Sequence, residues 1–454
     1  MSAPPTWLDE PSRRTPVLGA YEVVVVGGGP AGVTAAAAAA RAGRSTVLVE
    51  RYGYAGGAGS GGGLSTFCGL HANVHGEHRQ VVHGLADEVL ERVDRLGGLN
   101  APHLSFADRI LAQAYDISAY KIALDDVLVS SGVDVLFHAL GVGVLMRDEQ
   151  TVGALLVESK SGRGAITGEV FIDCSGDGDV AAWAGAPYEK TDPAHGMLYP
   201  SLMFRVNGVD APAAVAAQRQ IAGLMEEAEE AGRYRFPRKR PIVRPQRNPL
   251  EWRANLTQLS NPDGSAIDGT DLRQLSRGEL QGRRQVRDVF PFFQESVPGF
   301  ADSYVVDIAP SIGIRETRRI IGAYQLTEDD ILDCADFPDS IGVNGWPVEA
   351  HVEGDVDIRW QRGEDNRGYN QLPFRMLVPQ VLTNTYVAGR CASMTHEGQS
   401  SARVTGPCFA MGQAAGTAAD LALGAGVAVG DIDVPELQRR LEKDGAWLGQ
   451  EEGA

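Results

Sequence analysis

Six residues, Gly27-Gly28-Gly29-Pro30-Ala31-Gly32, decide the architecture of the first part of this chain. They follow the apolar run YEVVVV, which predicts a strand over 21–26 buried on both faces, as in a parallel sheet. The alanine-rich stretch behind them predicts a helix over 30–42. The spacing is G-x-G-x-x-G. Gly27 permits the tight turn, Gly29 lets a pyrophosphate approach the backbone, and Gly32 lets helix and strand pack closely. Pro30 and Ala31 open the helix, whose free N–H groups and partial positive charge suit phosphates. A second strand, over 45–50, ends in Glu50, where a carboxylate accepts from ribose hydroxyls. Strand, helix, second strand and terminal acid together predict a dinucleotide-binding βαβ unit. The hexad alone does not separate NAD from FAD.

Two later segments favour FAD. A buried strand over 169–174 delivers the turn Ser175-Gly176-Asp177, a second crossing of the chain that could touch the nucleotide. The later spaced carboxylates of an EF-hand loop are missing there, which speaks against calcium. A short strand over 385–388 then ends in Gly389-Arg390. A dinucleotide clamped by segments so far apart in the chain suits FAD in an extended pose, with Arg390 on a phosphate or near the ribityl chain. Beyond it, Val404-Thr405-Gly406-Pro407-Cys408 predicts a second helix with Pro407 at its first position. Its positive end would favour the charge that develops on a reduced isoalloxazine.

At 454 residues the chain is too long for one compact core, so two joined domains are expected. The sequence divides into a tail over 1–20, a first nucleotide-binding part over 21–186, a substrate or cap domain over 187–373 and a returning nucleotide-binding part over 374–447. In the third stretch apolar runs shorten and Pro, Arg and Trp become more frequent. With 41 basic against 59 acidic residues the net charge is −18, which repels polyanions and argues against nucleic acid as a partner. The segment 235–247 (RFPRKRPIVRPQR) is locally basic, readable as a solvated loop or as a lid that attracts an anionic substrate. Five scattered cysteines without a C-x-x-C favour a reducing cytoplasm and speak against a disulfide framework and a dithiol redox centre. The first residues lack a secretory h-region, and the apolar run over 23–40 is broken by glycines and proline, so no membrane span is expected.

Four blocks carry a family resemblance: 21–64, 170–187 (VFIDCSGDGDVAAWAGAP), 311–324 (SIGIRETRRIIGAY) and 386–416. Together they resemble bacterial FAD-dependent oxidoreductases distantly related to fumarate reductase and succinate dehydrogenase flavoproteins. The resemblance implies an α/β fold: a Rossmann-like, glutathione-reductase-like FAD-binding domain with an inserted α+β substrate domain. It also implies redox chemistry on a small molecule. Gly27, Gly29, Gly32, Glu50 and Arg51 would then hold the ADP half. Gly56, Gly57, Ala58, Ser60, Gly61 and Gly62 would line pyrophosphate and flavin, and Gly141 would meet the adenine. Ser175, Gly176 and Asp177 form the second contact; Gly389, Arg390, Val404, Thr405 and Cys408 would meet the ribityl chain and ring. Respiratory members tether FAD to a histidine in the loop after the second strand. The loop 53–63 has none, so FAD is expected to be non-covalent, and Cys68 is read as structural rather than as a thioether site.

Flavin chemistry needs an acid, base or hydrogen-bond donor beside the substrate. Candidates are His71, Arg315 as a clamp for a substrate carboxylate, and His396 with Glu397 ahead of the second helix; Tyr369 and Arg375 are weaker. His71, His75, His78 and His83 lack the carboxylate or cysteine pattern that would complete a metal site, so none is expected. The chain thus reads as an FAD-dependent dehydrogenase, oxidase or reductase of a small metabolite. A flavin monooxygenase, or a flavin protein with structural FAD or a tRNA-modifying role, is the alternative. A homodimer is the default assembly, and the electron acceptor is not specified.

Overall fold

The computed structural model describes residues 7–450 except 107, 195 and 364. Strand β1 (Val17–Val26) runs directly into helix α1 (Pro30–Arg41), and β2 (Thr46–Val49) returns beside β1 in parallel. Helices α2 (Leu85–Arg95) and α3 (Ile117–Ser130) follow, then β3 (Asp134–Leu136) parallel to β2. A meander of β4 (Leu140–Met146), β5 (Val152–Ser159) and β6 (Gly162–Asp173) brings β6 alongside β1, parallel over its whole length. Strand β1 starts at Val17 rather than at the predicted residue 21, because its exposed start, Val17 to Ala20, pairs with Ala165–Thr167 of β6. The meander strand β4 and the first half of β6 escaped sequence reading, since LGVGVLM and GRGAITG show neither an apolar alternation nor a turn signal.

Side-chain alternation on β1 divides the protein into layers. Val23 and Val25 enter the core shared with α1 and α3, while Val24 and Val26 enter the one on the opposite face with Leu155, Ile166 and Phe171. Each of the four is almost fully buried, worth about 1.5–3 kcal/mol apiece.

The intervening chain builds a second unit. Strands β7 (Phe204–Asn207), β8 (Ile242–Pro245) and β9 (Trp252–Asn255), helix α4 (Leu272–Ser296) and β10 (Tyr304–Ile308) form an antiparallel sheet, ordered β8-β9-β7-β10, over its own apolar core. That core spans Leu202 to Ile312, whereas Leu326, Val348 and Phe374 pack with the α1 side of the large sheet. The stretch 187–373 therefore divides among several cores, with Ile320 packing on the opposite face of the large sheet. Strand β11 (Val348–Val352) lies in the part that joins the large sheet's core.

The chain then returns through β12 (Thr385–Val387), parallel to the end of β6, into helices α5 (His396–Ala402) and α6 (Thr405–Ala425). Pro407 stands at the third position of α6, not the first. The first three N–H groups of a helix have no partner within it, so proline costs no hydrogen bond there. A last helix, α7 (Val434–Lys443), follows. Among the described residues no helix is long and apolar enough to cross a membrane.

Helix α6 lies directly on α1. A Cβ on Gly412 would sit 2.0 Å from the Ala31 carbonyl oxygen, and one on Gly416 2.2 Å from that of Ala35. Thr34 Oγ1 donates to the Phe409 carbonyl at 2.9 Å across the same seam. Gly412→Ala is expected to cost about 2–3 kcal/mol. Gly424→Ala, at an exposed position of the same helix, should be neutral or gain about 0.5 kcal/mol. Urea unfolding of the two variants measures the contrast.

Candidate active site

The cradle begins where β1 stops. Gly27 takes φ = +100°, and a Cβ there would lie 2.4 Å from the Cys174 carbonyl oxygen, so only glycine fits. Gly28 N–H donates to Glu50 Oε2 at 2.6 Å, and Tyr52 N–H donates to Glu50 Oε1 at 2.8 Å. The carboxylate at the end of β2 thus ties the glycine turn to the loop that follows it. Gly29 caps α1, and a Cβ there would meet no protein atom within 4 Å. The turn leaves this backbone facing open space at the positive end of the helix. Gly32 is required because the Gly27 carbonyl oxygen would lie 1.8 Å from any Cβ on it.

That open space is a cavity of about 410 Å³. Gly27, Gly29, Pro30 and Ala31 line it from the first crossing, and Glu50 and Arg51 from the end of β2. Gly57, Ala58 and Gly62 line it from the glycine-rich loop, with Gly141 from β4. Ser175, Gly176 and Asp177 reach it from the end of β6, and Gly389, Arg390, Val404, Thr405 and Cys408 from the returning segment. Gly32, Gly56, Ser60 and Gly61 lie outside the lining. Gly56, at φ = +108°, packs against the Ser60 hydroxyl and shapes the loop.

The second crossing is held by two carboxylates. Asp173, fully buried, accepts from Ser175 N–H, Ser175 Oγ and Ala181 N–H at 3.0, 2.6 and 3.0 Å; burial pushes its carboxyl up to about 6. Asp177 accepts from Arg390 Nη2 and Thr317 Oγ1, each at 2.9 Å, and Arg51 Nη1 stands 3.7 Å away. Arg390 therefore joins the last crossing to the second by an ion pair.

A family model described as FAD dependent oxidoreductase matches residues 22–441. The chain belongs to that family. It is an FAD-dependent enzyme with a Rossmann-like α/β fold. No curated protein matches it. Among solved structures, it is similar to a geranylgeranyl bacteriochlorophyll reductase-like protein from Thermoplasma acidophilum, at 14% identity and a TM-score of 0.47 over 94% of this chain and 83% of that one. It is also similar to p-nitrophenol 4-monooxygenase PnpA from Pseudomonas putida DLL-E4, at 12% identity and a TM-score of 0.45 over 96% of this chain and 90% of that one. A third, the myxobacterial chondrochloren halogenase CndH, shares 14% identity at a TM-score of 0.43 over 94% of this chain and 79% of that one.

The residues present fit FAD. Glycine backbone with no protein atom in front of it would hold the phosphates, a carboxylate stands at the end of β2, and the first turn of α6 reaches the same cavity through Thr405 and Cys408. Burial pushes the Cys408 thiol up to about 12 and that of Cys68, also on the cavity, up to about 11, so both are protonated at neutral pH.

Of the four acid–base and clamp candidates, Arg315 alone lines the cavity. It donates to the Tyr199 carbonyl at 2.6 Å and to Ser201 Oγ at 2.9 Å. His71 lines a separate cavity of about 270 Å³ beside Asn73, Arg109 and Trp360, and burial lowers its imidazole to about 4. His396 sits 3.1 Å from Glu316 Oε1 and 3.2 Å from Thr191 Oγ1. There it serves a buried network in which Arg319 also pairs with Glu316. Burial alone would raise the Glu316 carboxyl, but His396, Thr191 and Leu198 N–H outweigh it and hold it below the usual range. Glu397 opens α5 without reaching the cavity lining. Arg375 pairs with Asp339, and Tyr369 is buried against Trp447.

Sequence reading missed the wall that the cap sheet and β11 add. Arg244, Arg253, Asn255, Trp346, Glu349, His351 and Arg403 all line the cavity. Arg244 falls in the basic segment 235–247 and Arg403 in the block 386–416, but Arg253 and Glu349 carried no local signal. Glu349 Oε2 accepts from Trp346 Nε1 at 3.0 Å and Oε1 lies 3.3 Å from His351 Nε2. Burial and the nearby Arg315 hold His351 neutral, well below its ordinary value.

Gly29→Val places a side chain in open space and leaves the packing untouched. The unfolding free energy should change by less than about 0.5 kcal/mol, while the FAD content of the purified protein falls severalfold. Denaturation and the visible spectrum, measured on the same sample, check both halves.

Proposed function

We propose that this enzyme is a dehydrogenase, oxidase or reductase that transfers hydride between a small organic metabolite and N5 of non-covalently bound FAD. One observation carries the reading: the phosphate cradle and a wall of polar side chains from the cap sheet line a single cavity. When bound, FAD supplies the two-electron acceptor. Backbone N–H groups at the start of α1 hold the pyrophosphate, and Glu50 accepts from the ribose. Arg390, braced by Asp177, stands along the ribityl and phosphate run. The first turn of α6 directs its positive end at the cavity and favours negative charge there. Arg315, fixed on Tyr199 and Ser201, orients the substrate.

The blocks SIGIRETRR and EGQSSARVTGPC support a distant kinship with fumarate reductase and succinate dehydrogenase flavoproteins. Five cysteines without a disulfide partner suit the cytoplasm, the net charge of −18 disfavours nucleic acid, and a homodimer is the simplest assembly.

Acid precipitation of the purified yellow protein should leave the flavin in the supernatant, and an anaerobic screen of metabolites should find one that bleaches the bound flavin. A colourless protein that cannot be reconstituted with FAD would defeat the reading. Bleaching by NAD(P)H alone, with oxygen entering the product, would replace it with a monooxygenase.

A further inference from the structure

Arg244 of β8 and Arg253 of β9 are direct cross-strand partners. Their side chains share one face of the cap sheet and both line the cavity. Like charges placed opposite one another in an antiparallel pair repel and destabilise the sheet unless something neutralises them. The same row shows what neutralisation looks like. Arg205, opposite Arg253 on β7, pairs with Glu251 at 3.0 Å and with Asp307 at 3.3 Å.

Among the described residues Arg244 and Arg253 have no such partners. Arg244 Nη1 donates to His103 Nε2 at 2.6 Å, and burial together with Arg244 keeps that imidazole neutral. Arg253 Nη1 donates to the Leu64 carbonyl at 2.7 Å and points at Met203 Sδ at 3.2 Å. Its Nε is buried without any partner, as is Nε of Arg403 on the same wall. Arg315 and Arg403 likewise bond only to neutral groups, the latter to the Glu349 carbonyl at 3.3 Å. The acids on this wall are Glu279 and Glu349. Glu279 is bound to Arg283 and Ile312 N–H, and Glu349 to His351 and Trp346. Four guanidinium groups therefore face the cavity from this wall; the Glu349 carboxylate acts on Arg244 only through space, and neither acid forms an ion pair with Arg244 or Arg253 among the described residues. Burying an unpaired cation is costly, and in a chain of net charge −18 acidic partners were abundant.

We propose that the Arg244–Arg253 pair is the substrate's anion clamp: it binds a carboxylate or phosphate group of a small organic acid. The inference rests on the function proposed above and narrows its substrate class. Both guanidinium groups sit where burial lowers their proton affinity, and Arg253 is lowered further by Arg244, so an oxyanion between them relieves both penalties. The Leu64 bond anchors Arg253 to the glycine-rich loop that also lines the cradle, which sets the clamp beside the cofactor's cavity rather than on the outer surface.

The test titrates the FAD-loaded protein with acetate, inorganic phosphate and neutral acetamide, following the flavin spectrum and the heat of binding. One of the two anions should saturate the site while acetamide does not, and the one that binds identifies carboxylate or phosphate as the recognised group. Arg244→Gln and Arg253→Met should each weaken that anion about 10- to 100-fold while keeping wild-type FAD content. Without anion, Arg244→Gln should melt no lower than wild type, because it removes a repulsion. The proposal fails if neither anion binds, or if Arg244→Gln binds as wild type does. It fails also if both variants lose FAD in parallel, since the pair would then serve the cofactor. Should the wild type carry no FAD yet bind an anion through Arg244 by calorimetry, the clamp stands and the flavin reading falls.

Discussion

Three backbone crossings meet at one edge of the large sheet, and their closeness sets everything else in the molecule. Cys174 N–H donates to the Val26 carbonyl at 2.8 Å, and Ala388 N–H donates to that of Asp173 at 3.0 Å. The parallel register of β1, β6 and β12 thereby ends all three strands at the same level. Their turns then crowd so tightly that Gly27 and Gly32 tolerate no Cβ, while a Cβ on Gly29 would meet no protein atom within 4 Å. Close contact within the edge and open space in front of it are two sides of one arrangement. The result is a ready-made site for an anion at a helix N-terminus.

The cavity in front of that edge is electrostatically divided. On the cradle side, acids and bases compensate one another: Asp177 binds Arg390, Arg318 binds Asp179, and Glu50 is taken up by backbone N–H groups. On the cap side, positive charge is left over. Arg244 and Arg253 come from the antiparallel sheet, whereas Glu349 and Arg403 come from elements packed on the core of the parallel sheet. Such unneutralised charge works against folding, and its presence at a cavity is more readily explained by ligand binding than by stability.

Residues near the glycine hexad were readable because their role is local. A strand, a tight turn, a helix and an acid at the end of the next strand need only neighbouring sequence, and the structure has all four there. The turn at 175–177 and the pair Gly389-Arg390 were found because each follows a short apolar strand. His71 and His396 misled for the opposite reason: residue type alone marks a histidine as chemically able, but only packing shows that one faces a second cavity and the other a buried carboxylate.

Most of the cap-side wall lay beyond sequence reading, although Arg244 falls in the basic segment 235–247 and Arg403 in the block 386–416. Arg244 and Arg253 lie in a stretch with no periodicity to reveal β8 and β9, and their facing positions follow from strand register, a non-local property. Backbone conformation is governed by short-range sterics, so the chain's own order of glycines and β-branched residues was enough to specify the cofactor cradle. Charge compensation depends on which side chains tertiary packing brings within a few ångströms. Whether an arginine is neutralised, like Arg205, or left facing a cavity, like Arg253, was therefore settled only when the two sheets closed over the same space.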